Sequence, residues 1–211
     1  MAYRWIENSD VLSIFPTLIW KIELTSEAQK AVNTNILEAL EDIRPSGADI
    51  ISAKGWQSNQ DLHKLDEFRD LVSYIDDIVI TILRFLKIGY EACEITGCWC
   101  TINPTGTSHR AHSHPNNFLS GVYYVQTPVG ADTINFHDPR IQTGIIRPPV
   151  TELTAENTDQ VVVKVSAGTL LVFPAYLQHS VDPNSSEGER ISISFNIMFS
   201  SFTENLSKPL W

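Results

Sequence analysis

Three of the six histidines in the 211-residue sequence lie within six residues of one another: His109, His112 and His114. Residues i and i+2 of an extended segment project from the same face, roughly 6.5 to 7 Å apart, so His112 and His114 can reach one metal ion together. A histidine-rich loop without a metal shows the same spacing. The pair therefore predicts a metal site only if ligands from elsewhere in the chain join it.

Further candidates follow a strand-like run that ends at Pro174. His179 comes five residues after this proline, and Arg190 and Ser192 follow near the C-terminus. A non-haem iron site takes two or three protein ligands on one side and leaves positions for a chelating 2-oxo acid and for oxygen. The distal carboxylate of such a dicarboxylate needs a fixed cation, and Arg190 offers a bidentate fork beside the Ser192 hydroxyl. A single arginine is more often part of a surface ion pair, so only the combination favours this chemistry.

The same residues resemble those of the iron(II)- and 2-oxoglutarate-dependent oxygenases, in particular a small branch from bacteria and phages. The matching segments keep the family's order over roughly 100 residues: 99–103, 112–115, 119–125, 136–140, 173–179 and 190–196. The resemblance implies an α+β, mainly β fold, a double-stranded β-helix (jelly roll) buttressed by N-terminal helices. It also implies oxidative decarboxylation of 2-oxoglutarate coupled to oxidation, usually hydroxylation, of an unidentified substrate.

The resemblance also implies roles for individual residues, with Fe(II) and 2-oxoglutarate as cofactors. His112 and His179 correspond to the metal ligands. Arg190 corresponds to the residue that anchors 2-oxoglutarate, and Ser192 lies beside it on the same strand face. Tyr124 resembles a tyrosine that often contacts the cosubstrate carboxylate.

The third metal ligand departs from the family pattern, which usually has His-x-Asp or His-x-Glu where this chain has His112-x-His114. We expect His114 to be the third ligand. An all-histidine site would carry one less negative charge, which alters the redox poise of the iron and its selectivity against zinc. A carboxylate such as Asp138 is the alternative, and a vacant position is a third possibility. We interpret His109 and His137 as loop residues or as supports for the ligands.

Two other functions fit parts of the pattern. Gly106 followed by His112-x-His114 resembles the first motif of the cupins, which use the same jelly roll without 2-oxoglutarate. The acidic ligand expected in that motif is absent, because apolar residues occupy its place. The second alternative is a non-catalytic, metal-stabilised binding protein, in which Arg190 forms an ordinary ion pair.

Two helical patterns in residues 1–90 would support such a site. Apolar residues recur at a period of 3.6 over 26–43, and Ser26 with Gln29 predicts a capping box. A second pattern over 62–86 predicts a helix of about 25 residues with one broad apolar face. Upstream, residues 14–20 predict an edge strand interrupted by a proline, and a polar loop is expected around Trp56.

Beyond residue 90 the apolar period changes to two. The expected strands are 92–103, 118–126, 132–137, 161–165, 169–173 and 190–199. Short strands at this spacing indicate a sandwich, jelly roll or small barrel. The last strand has one apolar face and one polar face made of Arg190, Ser192, Ser194 and Asn196. The polar face could lie in water, or it could line a cavity if a helix covers the apolar face.

The expected organisation is a single oxygenase-like domain over 1–211. It comprises a mostly helical support region (1–90), a jelly-roll core with the site (91–200) and a tail (201–211). The long connection 139–160 is typical of a binding loop or lid.

Composition limits the partners and the compartment. A net charge of -10 disfavours nucleic acid, and the absence of a long apolar run argues against a membrane span. Three crowded cysteines, Cys93, Cys98 and Cys100, fit a reducing cytoplasm, and the last two are expected to be buried packing residues rather than metal ligands. The prime substrate, peptidyl or small-molecule, is not identified. An apolar helix face could serve a homodimer.

Overall fold

The structure is a computed structural model that describes residues 5, 7–44, 55–89, 92–140, 145–146 and 148–200. In this part of the chain two antiparallel sheets face each other, and two α-helices pack against the larger one. Within the described residues, no helix has the length and apolar character needed to cross a membrane.

The first helix, α1, spans Ser26–Ile43, and the second, α2, spans Arg69–Phe85. The N-cap of α1 is Thr25, whose side-chain oxygen accepts a hydrogen bond from a backbone N–H of the first turn at 3.3 Å. The predicted capping box at Ser26 and Gln29 is therefore wrong by one position, because Thr25 already satisfies an N–H that the helix leaves free.

The second helical pattern forms a shorter α-helix than predicted. Leu62–Lys64 and Asp66–Phe68 make two 3-10 turns before α2 begins. Leu65 between them is extended, with φ of -86° and ψ of 141°, and this interrupts the α-helical hydrogen bonds. The apolar spacing persists because residues i and i+3 also align in 3-10 geometry, and Leu62 and Phe68 are both buried.

Ten strands in the described part of the chain form the two sheets. In chain order they are β1 (Trp20–Glu23), β2 (Trp56–Gln57), β3 (Cys93–Asn103), β4 (His109–His112), β5 (Leu119–Gln126), β6 (Thr133–His137), β7 (Gln160–Lys164), β8 (Thr169–Pro174), β9 (His179–Val181) and β10 (Arg190–Phe199). The larger sheet has the order β1-β8-β5-β10-β3-β2 and the smaller one β4-β9-β6-β7. From β3 to β10 the chain passes repeatedly between the sheets, which is the double-stranded β-helix that the resemblance implied.

The strands confirm much of the sequence analysis but not all of it. The six strands predicted beyond residue 90 are present to within one residue at each end. The edge strand predicted over 14–20 is wrong, because Pro16 and the positive φ of Phe15 (55°) keep that segment irregular and β1 starts only at Trp20. The expected loop around Trp56 is a short strand. β4 and β9 were not predicted, since strands of three or four residues carry too little alternation to detect.

The apolar face of β10 explains how the site is oriented. Its four alternate apolar residues, Ile191, Ile193, Phe195 and Ile197, are buried in the layer between the larger sheet and the helices. Cys98 and Cys100 of β3 belong to the same layer, and burial raises the pKa of both thiols to about 12. They therefore pack as small apolar groups, as expected, and the opposite faces of β3 and β10 are left to line the space between the sheets.

Two predicted segments lie wholly or partly outside the described residues. They are the tail 201–211 and, within the connection 139–160, residues 141–144 and 147. The role of that connection as a binding loop or lid and the single-domain organisation therefore stay predictions.

Candidate metal centre and cosubstrate site

A cavity of about 310 Å³ lies between the two sheets. The polar face of β10 forms one of its walls, so the alternative in which this face lies in water is wrong. The lining includes six residues that the sequence analysis singled out for the site: His112, His114, Tyr124, His179, Arg190 and Ser192.

Three imidazoles meet at one point of this cavity. His112, at the end of β4, is the register partner of His179, at the start of β9, and His114 follows just after β4. One ligand atom from each of the three lies within 4.8 Å of the others. The backbone N–H of His114 donates to the carbonyl oxygen of Ala175 at 2.9 Å, which holds this segment against the end of β8.

Hydrogen bonds to the backbone orient two of these rings in the same way. Nδ1 of His112 lies 2.8 Å from the carbonyl oxygen of Arg110, and Nδ1 of His179 lies 3.0 Å from that of Leu177. A carbonyl oxygen can only accept, so Nδ1 carries the proton in both rings. Each ring therefore presents the lone pair of Nε2, which is the state a metal ligand requires.

Burial keeps the rings of His114 and His179 neutral. Desolvation, with a smaller effect of the neighbouring His112, lowers the pKa of His114 to about 4. Desolvation lowers the pKa of His179 to about 4 as well, against the raising effect of its bond to the Leu177 carbonyl. Both rings are therefore uncharged at neutral pH and have a lone pair to offer to a cation.

The carboxylate of Asp138, the alternative third ligand, is engaged elsewhere. It accepts hydrogen bonds from the Arg140 side chain at 3.0 and 2.7 Å. Among the described residues, the group of ligand atoms within 4.8 Å consists of three imidazoles and does not include Asp138. The geometry thus brings His114 to the cluster.

Arg190 lies at one end of the cavity without an acidic partner. Its side chain is buried, with only 4% of the residue exposed, and no carboxylate of the described residues lies within 4.0 Å. Its single hydrogen bond in this region is a long one, 3.5 Å from Nη1 to the carbonyl oxygen of Thr133, and Nε has no partner. Burial lowers the pKa of Arg190, which shows how poorly its charge is solvated. A buried, unpaired guanidinium is costly, and an anionic ligand would remove that cost.

Ser192 and Tyr124 stand beside this cation. They are register partners on β10 and β5, and both are buried and line the cavity. Burial raises the pKa of Tyr124, so its hydroxyl remains protonated and able to donate a hydrogen bond. A guanidinium flanked by two hydroxyl groups fits one carboxylate of 2-oxoglutarate, and the imidazole cluster on the same cavity fits the metal.

The other two histidines considered in the sequence analysis, His109 and His137, differ in whether they reach the cavity. His109 lines the cavity, and desolvation, then Arg190 and His112, lower its pKa to about 4. Nε2 of His137 lies 2.9 Å from Oγ of Ser180, and neither residue lines the cavity. His109 therefore belongs to the site, whereas His137 does not.

The opposite end of the cavity carries Asn196, which belongs to the predicted polar face of β10, and Gln60, which sequence reasoning missed. Exposure increases along β10, from buried Arg190 and Ser192 to half-buried Asn196, and this end also holds Trp99 and Gln60. Oγ of Ser120 donates to Oδ1 of Asn196 at 2.7 Å, which fixes the amide and leaves Nδ2 free to donate. The alternation of β10 was the only sequence signal for this end.

Comparison with known protein families and structures indicates the class of enzyme to which this site corresponds. Residues 97–196 match the model of a family described as "Putative 2OG-Fe(II) oxygenase". No curated protein matches the chain in sequence. This matched segment contains all the residues that line the cavity from β3, β4, β5, β9 and β10.

Solved structures of low sequence identity share the fold. The carbocyclase SnoK from nogalamycin biosynthesis, a non-haem α-ketoglutarate-dependent enzyme, superposes with a TM-score of 0.63 at 17% identity over 92% of this chain and 89% of that one. A Pseudomonas putida prolyl-4-hydroxylase gives 0.58 at 16% identity over 86% and 92%. HygX from Streptomyces hygroscopicus, crystallised with nickel and 2-oxoglutarate, gives 0.59 at 14% identity over 87% and 83%.

The jelly roll, the imidazole cluster and the unpaired buried arginine are thus found in a chain whose central segment matches one enzyme family. The matched segment, residues 97–196, is that of an iron(II)- and 2-oxoglutarate-dependent oxygenase, and the imidazole cluster that it contains fits the Fe(II) of this family. The two alternatives, a cupin-like enzyme and a non-catalytic metal-stabilised protein, are set aside by this match. The assignment to a bacterial and phage branch stays a prediction.

Proposed function

We propose that His112, His114 and His179 hold Fe(II) and that Arg190, Ser192 and Tyr124 hold the distal carboxylate of 2-oxoglutarate. His112 and His179 would bind through Nε2, because Nδ1 of each donates to a backbone carbonyl. The observation that carries the proposal is the convergence of three imidazoles and one unpaired buried cation on a single cavity. Fe(II) with a chelated 2-oxo acid supplies oxygen activation, which no amino-acid side chain provides.

The protein itself contributes by positioning the metal ligands and Arg190 and by excluding water from the pocket. The β4–β9 pairing fixes two ligands on one sheet, and β10 fixes Arg190 on the other. A dicarboxylate held between them would lie in a pocket whose walls are buried at the Arg190 end. Bulk water is then kept from the reacting groups, which strengthens every electrostatic interaction in the pocket.

The reaction on the prime substrate is proposed to be a hydroxylation. Support comes from the family and from neighbours named as prolyl hydroxylases, although other neighbours are named as a carbocyclase and an epimerase. We propose that the prime substrate, a peptidyl group or a small molecule, enters at the Asn196 end, since the Arg190 end is closed by buried side chains. Trp99 and Gln60 line this opening and carry no charge.

Turnover of 2-oxoglutarate tests the proposed function. We expect purified protein with Fe(II), ascorbate and oxygen to convert 2-oxoglutarate to succinate, because oxygenases of this family decarboxylate the cosubstrate. The measurement is succinate by mass spectrometry, with chelation by EDTA as the control. Wild-type succinate formation that survives complete chelation would contradict the proposal.

Substitution of His114 tests the third ligand. His114→Ala is expected to weaken Co(II) or Fe(II) binding by about ten- to a hundredfold, while His114→Asp restores it, because a carboxylate replaces the lost ligand. The measurement is anaerobic metal titration followed by visible absorption of the Co(II) form. Equal metal affinity of wild type and His114→Ala would assign the third position to another group.

Two further properties are proposed separately. All three cysteines are free thiols, which supports a reducing cytoplasmic location, and fractionation of producing cells would test it. The homodimer was expected from an apolar helix face. Five apolar residues of α2 are buried against the sheet, whereas Ile80 and Phe85 of the same helix are exposed. Light scattering during gel filtration decides between monomer and dimer.

A further inference from the structure

His109 occupies the end of the cavity where Arg190 lies. Asn103 of β3 is the register partner of Arg190 on β10. Nε2 of His109 lies 2.9 Å from Nδ2 and 3.1 Å from Oδ1 of the same Asn103. His109 also lines the cavity but does not belong to the imidazole cluster. It is therefore an additional cavity residue beside the cation and outside the group of three metal-binding imidazoles.

The contacts of His109 leave one ring nitrogen available. Asn103 is only 2% exposed, and its backbone carbonyl accepts a hydrogen bond from Nδ2 of Asn184 at 2.9 Å. Asn103, which bonds to the His109 ring, is therefore itself fixed in position. Of the two contacts, we assign the hydrogen bond to the one in which the Asn103 amide N–H donates to Nε2, and this assignment places the ring proton on Nδ1. Nδ1 makes no hydrogen bond with any described residue.

Neutral donors must fill the acceptor sites of an incoming carboxylate that Arg190 leaves open. An ionised carboxylate has two oxygens with about four acceptor sites, and the Arg190 fork fills two of them. The neutral side chains that line this end of the cavity are Ser192, Tyr124 and His109. Desolvation, and then the positive charge of Arg190, lower the pKa of His109 to about 4, so the neutral ring adds a donor without a second charge.

We propose that His109 is a binding residue for 2-oxoglutarate, whose Nδ1–H donates to the distal carboxylate held by Arg190, and that Asn103 is the positioning residue for this ring. This inference rests on the proposed function, since it assumes that Arg190 binds that carboxylate.

Ligand affinity without turnover tests the proposal. Full-length protein loaded with Zn(II) is titrated by calorimetry with 2-oxoglutarate and with 2-oxopentanoate, which has the same chain length but a methyl group in place of the distal carboxylate. His109→Leu removes the donor. His109→Asn retains an N–H near the position of Nδ1. His137→Leu is the matched control, because that ring lies outside the cavity.

His109→Leu is expected to bind 2-oxoglutarate about ten- to a hundredfold more weakly, the usual effect of losing a hydrogen bond to a charged group. His109→Asn should recover most of the affinity, and His137→Leu should match wild type. None of the three should change the affinity for 2-oxopentanoate. Wild-type affinity in His109→Leu, or an equal loss for both acids, would overturn the proposal.

Two further measurements separate this inference from the function on which it rests. If Arg190→Met binds 2-oxoglutarate like wild type, the proposed function itself fails. If His109→Leu does not fold, nitrogen NMR of the wild-type Zn(II) protein replaces it. The Nδ1–H proton of His109 should then shift downfield when 2-oxoglutarate binds, and an unchanged resonance would overturn the proposal.

Discussion

Replacing His179 by alanine is expected to abolish Fe(II)-dependent succinate formation and to weaken metal binding by more than about a hundredfold. Mutation of residues that merely support a ligand costs 10- to 100-fold in affinity or activity, and His179 is proposed to be a ligand itself. The ring also lies against both other imidazoles, with centroids 4.4 Å from His112 and 5.2 Å from His114. Metal content after anaerobic loading and succinate yield are the two measurements.

The matched control for this prediction is His137→Ala. His137 is the last residue of β6, and its ring bonds to Ser180 outside the cavity. This variant should keep wild-type metal content and succinate yield. If His179→Ala retained full metal content, or if both variants lost activity to the same extent, the cluster would not be the iron site.

Replacing Arg190 by methionine is expected to have two effects of opposite sign. Affinity for 2-oxoglutarate should fall at least about a hundredfold, because two charge-assisted hydrogen bonds to the distal carboxylate are lost. The free energy of unfolding of the metal-free protein should rise by about 1 kcal/mol, because a buried guanidinium without an acidic partner is replaced by an apolar chain. Calorimetric titration and chemical denaturation measure the two effects.

Arg44 provides the control, because it is an arginine with a partner near the same strand. Nη1 and Nη2 of Arg44 bond to the carboxylate of Glu189 at 3.0 and 2.6 Å, next to Arg190 in sequence. Arg44→Met should lower the free energy of unfolding by up to about 1 kcal/mol and leave 2-oxoglutarate affinity unchanged. A loss of stability in Arg190→Met like that in Arg44→Met would show that Arg190 serves the fold rather than the ligand.

The local pattern of apolar and polar residues was sufficient to predict most strands of the β core. The alternation in residues 190–199 predicted the strand, its two faces and the polar set that lines the cavity, since side chains of a strand alternate strictly. The turn between Leu62 and Phe68 was predicted as α-helix and is 3-10, because both geometries place apolar residues three apart on one side. The strands β4 and β9 could not be predicted, because they are too short to show an alternating pattern.

The sequence by itself determined the chemical groups of the site: the histidine pair, a distant third histidine, and an arginine followed by a serine. Only the tertiary structure decided which groups meet. It paired His112 with His179 across β4 and β9, and it kept Asp138 on Arg140 and out of the cluster. It also left Arg190 buried with no acidic partner in the part of the chain that the structure describes, and it brought His109 and Asn103 to its side. Strand pairing sets these distances, and pairing between segments far apart in sequence leaves no periodic trace in either one.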